Sequence, residues 1–122
     1  MQEIPRNKVG SRKLPTFIPL STLQLQIEQA WEDRSLLELE TTRNAIESVI
    51  DRLDRGELRC AEPLADGSWQ VNEWVKKAVI LYFPIRKMEV IECHPFVFHD
   101  KIPLKTNYEE LGVRVVPHAI AR

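Results

Sequence analysis

The sequence predicts a mainly α fold, a small multihelical domain with one short β-hairpin. Three stretches repeat apolar residues at intervals of three and four, the spacing of one face of a helix. Between the second and third stretches, short alternating segments flank an Asp-Gly turn. The chain has 122 residues, of which 43% are hydrophobic, enough for one modest core. We therefore expect a single folded domain.

The first predicted helix starts at Ser21. Ser21 and Gln24 have the spacing of a capping box, in which both side chains bond free backbone amides of the first turn. Residues 1–20 carry three prolines and several basic side chains without an apolar period. They are expected to form an extended or disordered arm before a helical domain of residues 21–122. The apolar residues at helical intervals are Leu23, Ile27, Ala30 and Trp31.

The second predicted helix has the most regular pattern. Thr41 or Thr42 is expected to cap its first turn. Gly56 is expected to stop it, because glycine readily takes the left-handed conformation that follows many helices. Its apolar face is formed by Ile46, Val49, Ile50 and Leu53.

A β-hairpin is predicted after this helix. Its first strand is a short segment at about residues 59–62, and Trp69 and Val71 alternate with polar residues in the second. The dipeptide Asp66-Gly67 between them is typical of a tight turn.

The third predicted helix follows Asn72, which is expected to cap it. Glu73 and Lys77 are four residues apart, in the favourable orientation for an ion pair. Pro84 is expected to end the helix. Its apolar face is formed by Trp74, Val75, Ala78, Val79 and Tyr82.

The last third is predicted to be mostly loop with short pieces of regular structure. Pro95, Pro103 and Pro117 interrupt its apolar residues, and proline lacks the amide hydrogen that regular structure needs. Phe96 and Phe98 are expected to enter the core.

Charge and hydropathy argue against two classes of partner. The 17 lysines and arginines nearly balance 18 acids, so the formal net charge is -1 and no overall basic field can hold a nucleic-acid backbone. No apolar run approaches the roughly 20 residues needed to cross a bilayer, and the N-terminus lacks the apolar run of a signal peptide. A cytoplasmic protein that binds neither nucleic acid nor membrane is expected.

Cys93, His94, His99 and Asp100 form the densest cluster of potential metal ligands. Their spacing matches no familiar zinc motif, and only Cys60 and His118 remain elsewhere as possible partners. Neighbouring side chains of an extended segment point to opposite faces, which argues against Cys93 as a nucleophile activated by His94. The cluster is interpreted as loop residues, and Cys60 and Cys93 as buried or incidental thiols. No metal site and no catalytic residue are predicted.

The basic pairs Lys76-Lys77 and Arg86-Lys87 could bind an anion. Charged residues on an outer helix face or in a following loop are more often simply solvated, and this interpretation is preferred. No glycine-rich phosphate loop and no serine-nucleophile motif is found.

A series of short segments, in this order and at these intervals, resembles one enzyme family. The segments are Asp54-Arg55-Gly56, Leu58-Arg59, Asp66-Gly67-Ser68-Trp69, Asn72-Glu73-Trp74-Val75-Lys76-Lys77-Ala78, Asp100-Lys101-Ile102-Pro103-Leu104-Lys105 and Gly112-Val113-Arg114-Val115-Val116-Pro117. The family is tetrahydrodipicolinate N-succinyltransferase, and the resemblance extends over roughly residues 23–122. No single segment is specific, but their common order makes coincidence improbable.

The resemblance implies an acyl transfer in lysine and diaminopimelate synthesis, from succinyl-CoA to the amine of an opened cyclic dicarboxylate. It also implies a homotrimer, no tightly bound cofactor, and active sites between neighbouring left-handed β-helices. The N-terminal helical domain would help to close over the amino-acid substrate. The chain is expected to contain this domain but not the β-helix, the CoA site or the acidic catalytic residue. It is not expected to be active alone.

By position, the resemblance assigns Arg114 a role in substrate binding. A guanidinium can hold a carboxylate through two parallel hydrogen bonds, which suits a dicarboxylate acceptor. Its apolar neighbours alone would indicate only an exposed residue on a strand. Two features depart from the family pattern: residues 1–20 have no counterpart, and His94 stands where a glycine is expected.

Two other functions remain open from the sequence. A free-standing interaction module could use the arm of residues 1–20 to bind another protein. A helix-turn-helix DNA reader could use the second helix, but the acids along that stretch would repel a phosphate backbone. These acids are Glu38, Glu40, Glu47, Asp51 and Asp54.

Overall fold

The structure, a computed structural model, describes residues 18–122 and confirms a mainly helical fold. Within these residues, the chain forms three α-helices, a short 3-10 helix and two separate antiparallel hairpins, of which the first connects α2 to α3 and the second follows α3. None of these helices is long and apolar enough to cross a membrane. The predicted arm falls almost wholly on residues 1–17, outside the described residues, and stays a prediction. The elements are α1 (Leu20–Glu32), the 3-10 helix (Arg34–Glu38), α2 (Glu40–Asp54), β1 (Ala61–Pro63), β2 (Trp69–Val71), α3 (Glu73–Ile85), β3 (Glu89–Cys93) and β4 (Phe96–Asp100).

The three α-helices pack against one another around one apolar core. Each buries a stripe of residues at helical spacing, and such burial supplies most of a helix's stability in a protein. The helical periods in the sequence therefore predicted the core faces, although Leu81 was missing from the predicted face of α3 and Val79 is only half-buried. The core residues are Leu23, Ile27, Ala30, Leu37, Ala45, Ile46, Val49, Val75, Ala78, Leu81 and Tyr82.

The predicted side-chain caps of α1 and α2 are wrong. The two helices begin directly after Pro19 and Leu39, and neither residue forms a side-chain cap. Ser21 lies inside the first turn of α1, and Thr42 is buried inside α2. The 3-10 helix occupies the chain up to Glu38, so α2 starts before the threonines are reached.

This 3-10 helix connects α1 to α2 and was not predicted. Its cap is Asp33, whose carboxylate accepts hydrogen bonds from the Ser35 hydroxyl at 2.7 Å and the Ser35 backbone N–H at 2.9 Å. Together these bonds hold the pKa of Asp33 below its ordinary value. Because Leu37 is buried, this connection forms part of the core.

Gly56 follows the end of α2, as predicted. It has φ of 74°, and its N–H donates to the carbonyl of Leu53 at 3.1 Å. The N–H of Glu57 donates to the carbonyl of Arg52 at 2.9 Å. This pair of bonds is a Schellman motif, which satisfies the last helical carbonyls and favours glycine at the left-handed position.

Pro84 does not stop α3 as early as predicted. It lies inside the last turn, and the helix continues to Ile85. A proline this close to the end removes one backbone donor from a turn that is already ending.

Lys77 of α3 pairs with a neighbouring helix instead of along its own. Its Nζ lies 2.5 Å from Oε2 of Glu28 on α1, and 5.7 Å from the centroid of the Trp31 ring. The hydrogen bond to Glu28 raises the pKa of Lys77, and Glu73 adds only a weaker attraction. The predicted Glu73–Lys77 pair is therefore wrong, because a direct contact between half-buried side chains outweighs an exposed i,i+4 pair.

The hairpin predicted after α2 is present. β1 and β2 pair antiparallel, with Glu62 opposite Gln70, and Gly67 turns the chain with φ of 83°. Asn72 occupies the N-cap position of α3 as predicted, but its side chain forms no hydrogen bond to the first turn of the helix. Its side-chain amide donates instead to the carbonyl of Arg59 at 2.9 Å and to Oε1 of Glu62 at 3.0 Å, which ties the base of the hairpin together.

The region predicted to be mostly loop contains a second hairpin. β3 and β4 pair antiparallel over five positions. His94 and Pro95 form the turn between them through a cis peptide bond, and His94 does not take a positive φ. Proline is accommodated because it lies in the turn, where the ladder needs no donor. Because His94 does not take a positive φ, the turn does not require a glycine there.

Both hairpins lie outside the helical core. Phe96 remains 56% exposed and stacks on half-buried Phe98, with ring centroids 6.5 Å apart, so the prediction that both enter the core is wrong. Cys60 and Cys93 are also exposed, and not buried as one interpretation had it. The three helices already close the core among themselves, which leaves the strands at the surface.

Candidate functional site

The chain after β4 forms a closed loop, which we call the Arg114 loop and define as residues 105–121. The backbone N–H of Lys105 donates to the carbonyl of Ala121 at 2.9 Å, so the loop returns to the point where it started. It contains neither strand nor α-helix. Compact surface loops on a rigid scaffold often carry binding residues, and this one carries Arg114.

A single turn shapes the first half of the loop. The N–H of Gly112 donates to the carbonyl of Glu109 at 3.1 Å, and the N–H of Val113 to that of Tyr108 at 2.9 Å. Gly112 has φ of 64°, so this is the same motif that follows α2. The turn leads directly into the segment that holds Arg114.

Arg114 is exposed at the surface of the loop. Its side chain forms no hydrogen bond or ion pair with any residue in the range 18–122. Val113, directly before it, and Val116, two positions after it, are also at least half exposed. An exposed guanidinium of this kind keeps its donors available for an anion.

The two cations at the ends of the loop are paired with carboxylates. Lys105 binds Asp54 at the end of α2, and Arg122 binds Asp100 at the end of β4. The backbone N–H of Lys101 and the Arg122 guanidinium hold the pKa of Asp100 below its ordinary value. Asp100 is therefore ionised at neutral pH and neutralises Arg122. Lys105 and Arg122 each have a carboxylate partner, whereas Arg114 has none within residues 18–122.

Two cavities flank the base of the loop. One, of about 570 Å³, is walled by α2, α3 and the start of the loop, and its lining includes Ile50, Asp54, Tyr82, Ile102, Lys105 and Leu111. The other, of about 390 Å³, separates the loop from the β3–β4 hairpin, and its lining includes Cys93, Phe96, Phe98, Tyr108, His118 and Ile120. Leu104 and Lys105 line both cavities. The loop is therefore supported from the bundle on one side and from the hairpin on the other.

The structure separates the four candidate metal ligands. Cys93 and Asp100 lie at opposite ends of the hairpin, His99 lies on its other face, and His94 lies in the turn. Within residues 18–122, no three histidine, cysteine or acidic side chains come together in a way that could hold a metal ion.

In each basic pair, Lys76-Lys77 and Arg86-Lys87, one residue is exposed and the other contacts a neighbouring helix. Lys76 and Lys87 are exposed, as predicted. Arg86 is not solvated as predicted: its guanidinium lies 5.6 Å from the Tyr82 ring centroid and 3.9 Å from a carboxylate oxygen of Glu47. It therefore connects α3 to α2 and is not available for a ligand.

Sequence reasoning missed the two ion pairs at the ends of the loop. Asp54 and Lys105 are 51 positions apart, and Asp100 and Arg122 are 22 apart. Three of these residues lie in segments that carry the family resemblance. Their place in these segments could have marked them as important, but only the fold shows which residues form ion pairs.

Comparison with known proteins gives a consistent result. A family model described as "Tetrahydrodipicolinate N-succinyltransferase N-terminal" matches residues 22–85, the stretch from α1 to α3. The chain is 42% identical to the 2,3,4,5-tetrahydropyridine-2,6-dicarboxylate N-succinyltransferases of Mesorhizobium japonicum, over 114 residues, and Legionella pneumophila, over 113. It is 44% identical, over 112 residues, to the protein of that name from Leptothrix cholodnii.

Each of these matches covers 84% of this chain and 40 or 41% of the relative. The chain thus spans about 40% of the length of these relatives. The family model covers just over half of the chain and ends with the last residue of α3. Since the match runs from the first turn of α1 to the end of α3, the chain belongs to the family of tetrahydrodipicolinate N-succinyltransferase N-terminal domains.

Proposed function

We propose that this domain forms the acceptor side of an N-succinyltransferase, in which Arg114 binds a carboxylate of the amino dicarboxylate substrate. The names of the relatives specify a tetrahydropyridine dicarboxylate and a succinyl group. We extend both to this chain, with succinyl-CoA as the donor, a homotrimer as the assembly and the cytoplasm as the location. No tightly bound cofactor is part of the proposal.

The observation that carries the proposal is the state of Arg114. It is exposed on a closed loop and has no carboxylate partner within residues 18–122, whereas Lys105 and Arg122 at the ends of that loop are both neutralised. A planar guanidinium can bind a carboxylate through two parallel hydrogen bonds, which gives orientation as well as affinity. Arg114 is thus suited to orient one end of a dicarboxylate.

No described residue is assigned to the transfer step itself. The proposed contribution of this domain is binding and orientation of the acceptor, which lowers the barrier by holding the reacting amine in place. The purified chain is therefore expected to release no CoA from succinyl-CoA in a thiol assay. Turnover by this chain alone would contradict the proposal that the domain binds and orients the acceptor without carrying out the transfer.

The role of Arg114 can be tested by titrating the labelled chain with pyridine-2,6-dicarboxylate, an aromatic analogue of the acceptor, and following amide and arginine side-chain NMR signals. Saturable shifts are expected at Arg114 and its neighbours. Arg114→Gln should weaken binding by about tenfold to a hundredfold, the loss expected for charge-assisted hydrogen bonds.

Arg59→Gln provides the matched control, because Arg59 is an exposed arginine near the first hairpin, remote in sequence from the loop. Its affinity for the analogue should equal that of the unchanged chain. If Arg114→Gln binds as tightly as Arg59→Gln, or if the unchanged chain shows no saturable shift, Arg114 is not a carboxylate site.

A further inference from the structure

The conformation of the Arg114 loop depends on few internal contacts. The hydrogen bonds within it are local ones, such as Val113 to Tyr108 and Ala119 to the carbonyl of Val116 at 3.0 Å. Ordering a loop of this length has a large cost in backbone entropy, and local turns offset only part of it. Contacts that join the two ends of the loop to the rest of the fold therefore decide whether it keeps one shape.

The first such contact joins the loop to α2. The ammonium of Lys105 binds the carboxylate of Asp54, in the last turn of that helix. Lys105 is also the residue whose backbone N–H bonds Ala121. One residue therefore closes the loop with its backbone and attaches it to the helical bundle with its side chain.

The second contact joins the other end of the loop to the hairpin. Arg122, directly after the loop, binds the carboxylate of Asp100 at the end of β4. The nearby backbone N–H groups of Lys101 and Ile102 also lower the pKa of that carboxyl.

We propose that the ion pairs Asp54–Lys105 and Asp100–Arg122 form a clamp that fixes the shape of the Arg114 loop and thereby positions the Arg114 guanidinium for its ligand. Lys105 and Arg122 are positioning residues, since neither has a free charge to offer a substrate. That the positioned group binds a carboxylate rests on the function proposed above. The clamp itself rests only on these contacts.

The clamp combines two contacts that would each be weak alone. Ion pairs with this degree of exposure contribute little singly, because solvent screens them and ordering the side chains costs entropy. Here they act on opposite ends of one loop. When one pair fixes its end, the loop has less conformational entropy left to lose when the other pair forms. Loss of both is therefore expected to loosen the loop more than loss of either.

Amide hydrogen exchange measured by NMR on the complete chain tests the clamp without any ligand. Arg122→Gln and Lys105→Gln should each speed exchange at the Val113 and Ala119 amides by about twofold to fivefold, and the double variant by about tenfold or more. Amides of the buried α2 face should be unchanged. The variants alter partly exposed charges and not the core, so folding should persist.

Two further variants make the test specific. Glu57→Gln removes an ion pair of similar exposure, between Glu57 and Arg55 at 2.8 Å, that does not touch the loop, and it should leave loop exchange unchanged. Asp54→Lys combined with Lys105→Asp restores the pair with its charges exchanged. This double change should return loop exchange toward that of the unchanged chain, which a general loss of structure would not do.

The outcomes separate the clamp from the proposed function. Equal loop exchange in the unchanged chain and in the Lys105→Gln, Arg122→Gln double variant would overturn the clamp, whatever Arg114 binds. Faster exchange with rescue by the charge-exchanged pair would support it, even if pyridine-2,6-dicarboxylate does not bind. If Arg114 does bind that analogue, the double variant should bind it more weakly although Arg114 is intact.

Discussion

Leu23 and Leu25 lie two positions apart on α1 in opposite environments. Leu23 is fully buried at 0% exposure, whereas Leu25 is 58% exposed. The helix turns by about 100° per residue, so two positions separate the core-facing side from the solvent-facing side. The same residue type on the same helix thus offers a matched comparison of burial.

Leu23→Ala is expected to lower the free energy of unfolding by about 2–5 kcal/mol, because it removes buried methyl groups and leaves a cavity. Leu25→Ala should change it by no more than about 0.5 kcal/mol. Urea denaturation followed by circular dichroism measures both. Similar losses in the two variants would show that α1 does not pack on this face.

Arg114 shows how far single residues can be interpreted from sequence. Its residue type and its place in a family motif could be recognised, and its exposure could be expected from its polarity. That it has no partner within residues 18–122, while Lys105 and Arg122 do, depends on which carboxylates the fold brings near. Such contacts join positions 22 and 51 residues apart, beyond any local pattern.

At the level of elements, the end of α2 was predicted well because the backbone itself imposes glycine there. Gly56 has a positive φ that few other residues tolerate. Ser21 and Thr42 were expected to cap helices, but a helix can also begin without any side-chain cap, and both residues lie inside. A capping residue is thus a weaker signal than a left-handed glycine.

Gly56→Ala is expected to destabilise the chain by about 1 kcal/mol through backbone strain alone, since a methyl group there would meet no atom within 4 Å. Gly56→Asn should cost less, because asparagine tolerates the left-handed conformation better. Thermal unfolding of the two variants measures the order. An alanine variant as stable as the unchanged chain would contradict the positive φ at this position.

The two hairpins show the limits of strand prediction. The first has an Asp-Gly turn between alternating residues and was found. The second has a His94-Pro95 turn, and Pro95 suggested interruption. A proline interrupts a strand if it lies at a paired position, but not if it lies in the turn between two strands. Only the pairing of the strands shows which of the two applies.

Across the whole molecule, the helical bundle is expected to be more stable against local opening than the two hairpins. The helices bury the apolar core, whereas Trp69 and Val97 on the two hairpins are 66% and 67% exposed. Isolated two-stranded hairpins are marginally stable, and regions with little buried apolar surface open locally.

Amide hydrogen exchange rates should therefore differ between the helices and the hairpins. Amides of α2 and α3 are expected to be the slowest, and those of β1–β2 at least about tenfold faster, because the hairpin can open without unfolding the bundle. Mass spectrometry of peptic fragments measures both regions in one sample. Uniform protection from residue 20 to residue 100 would mean that the hairpins unfold only with the core.

The sequence by itself determined the helical class, the faces of the three helices and the first hairpin. Periodicity and turn chemistry are local, and burial of a continuous apolar stripe leaves little choice of packing face. Only the tertiary structure decided that Lys77 pairs with Glu28, that β3 and β4 form a second hairpin, and that the ends of the Arg114 loop are paired. These features join residues far apart in the chain, and a charge binds whichever opposite charge the packed backbone brings within reach.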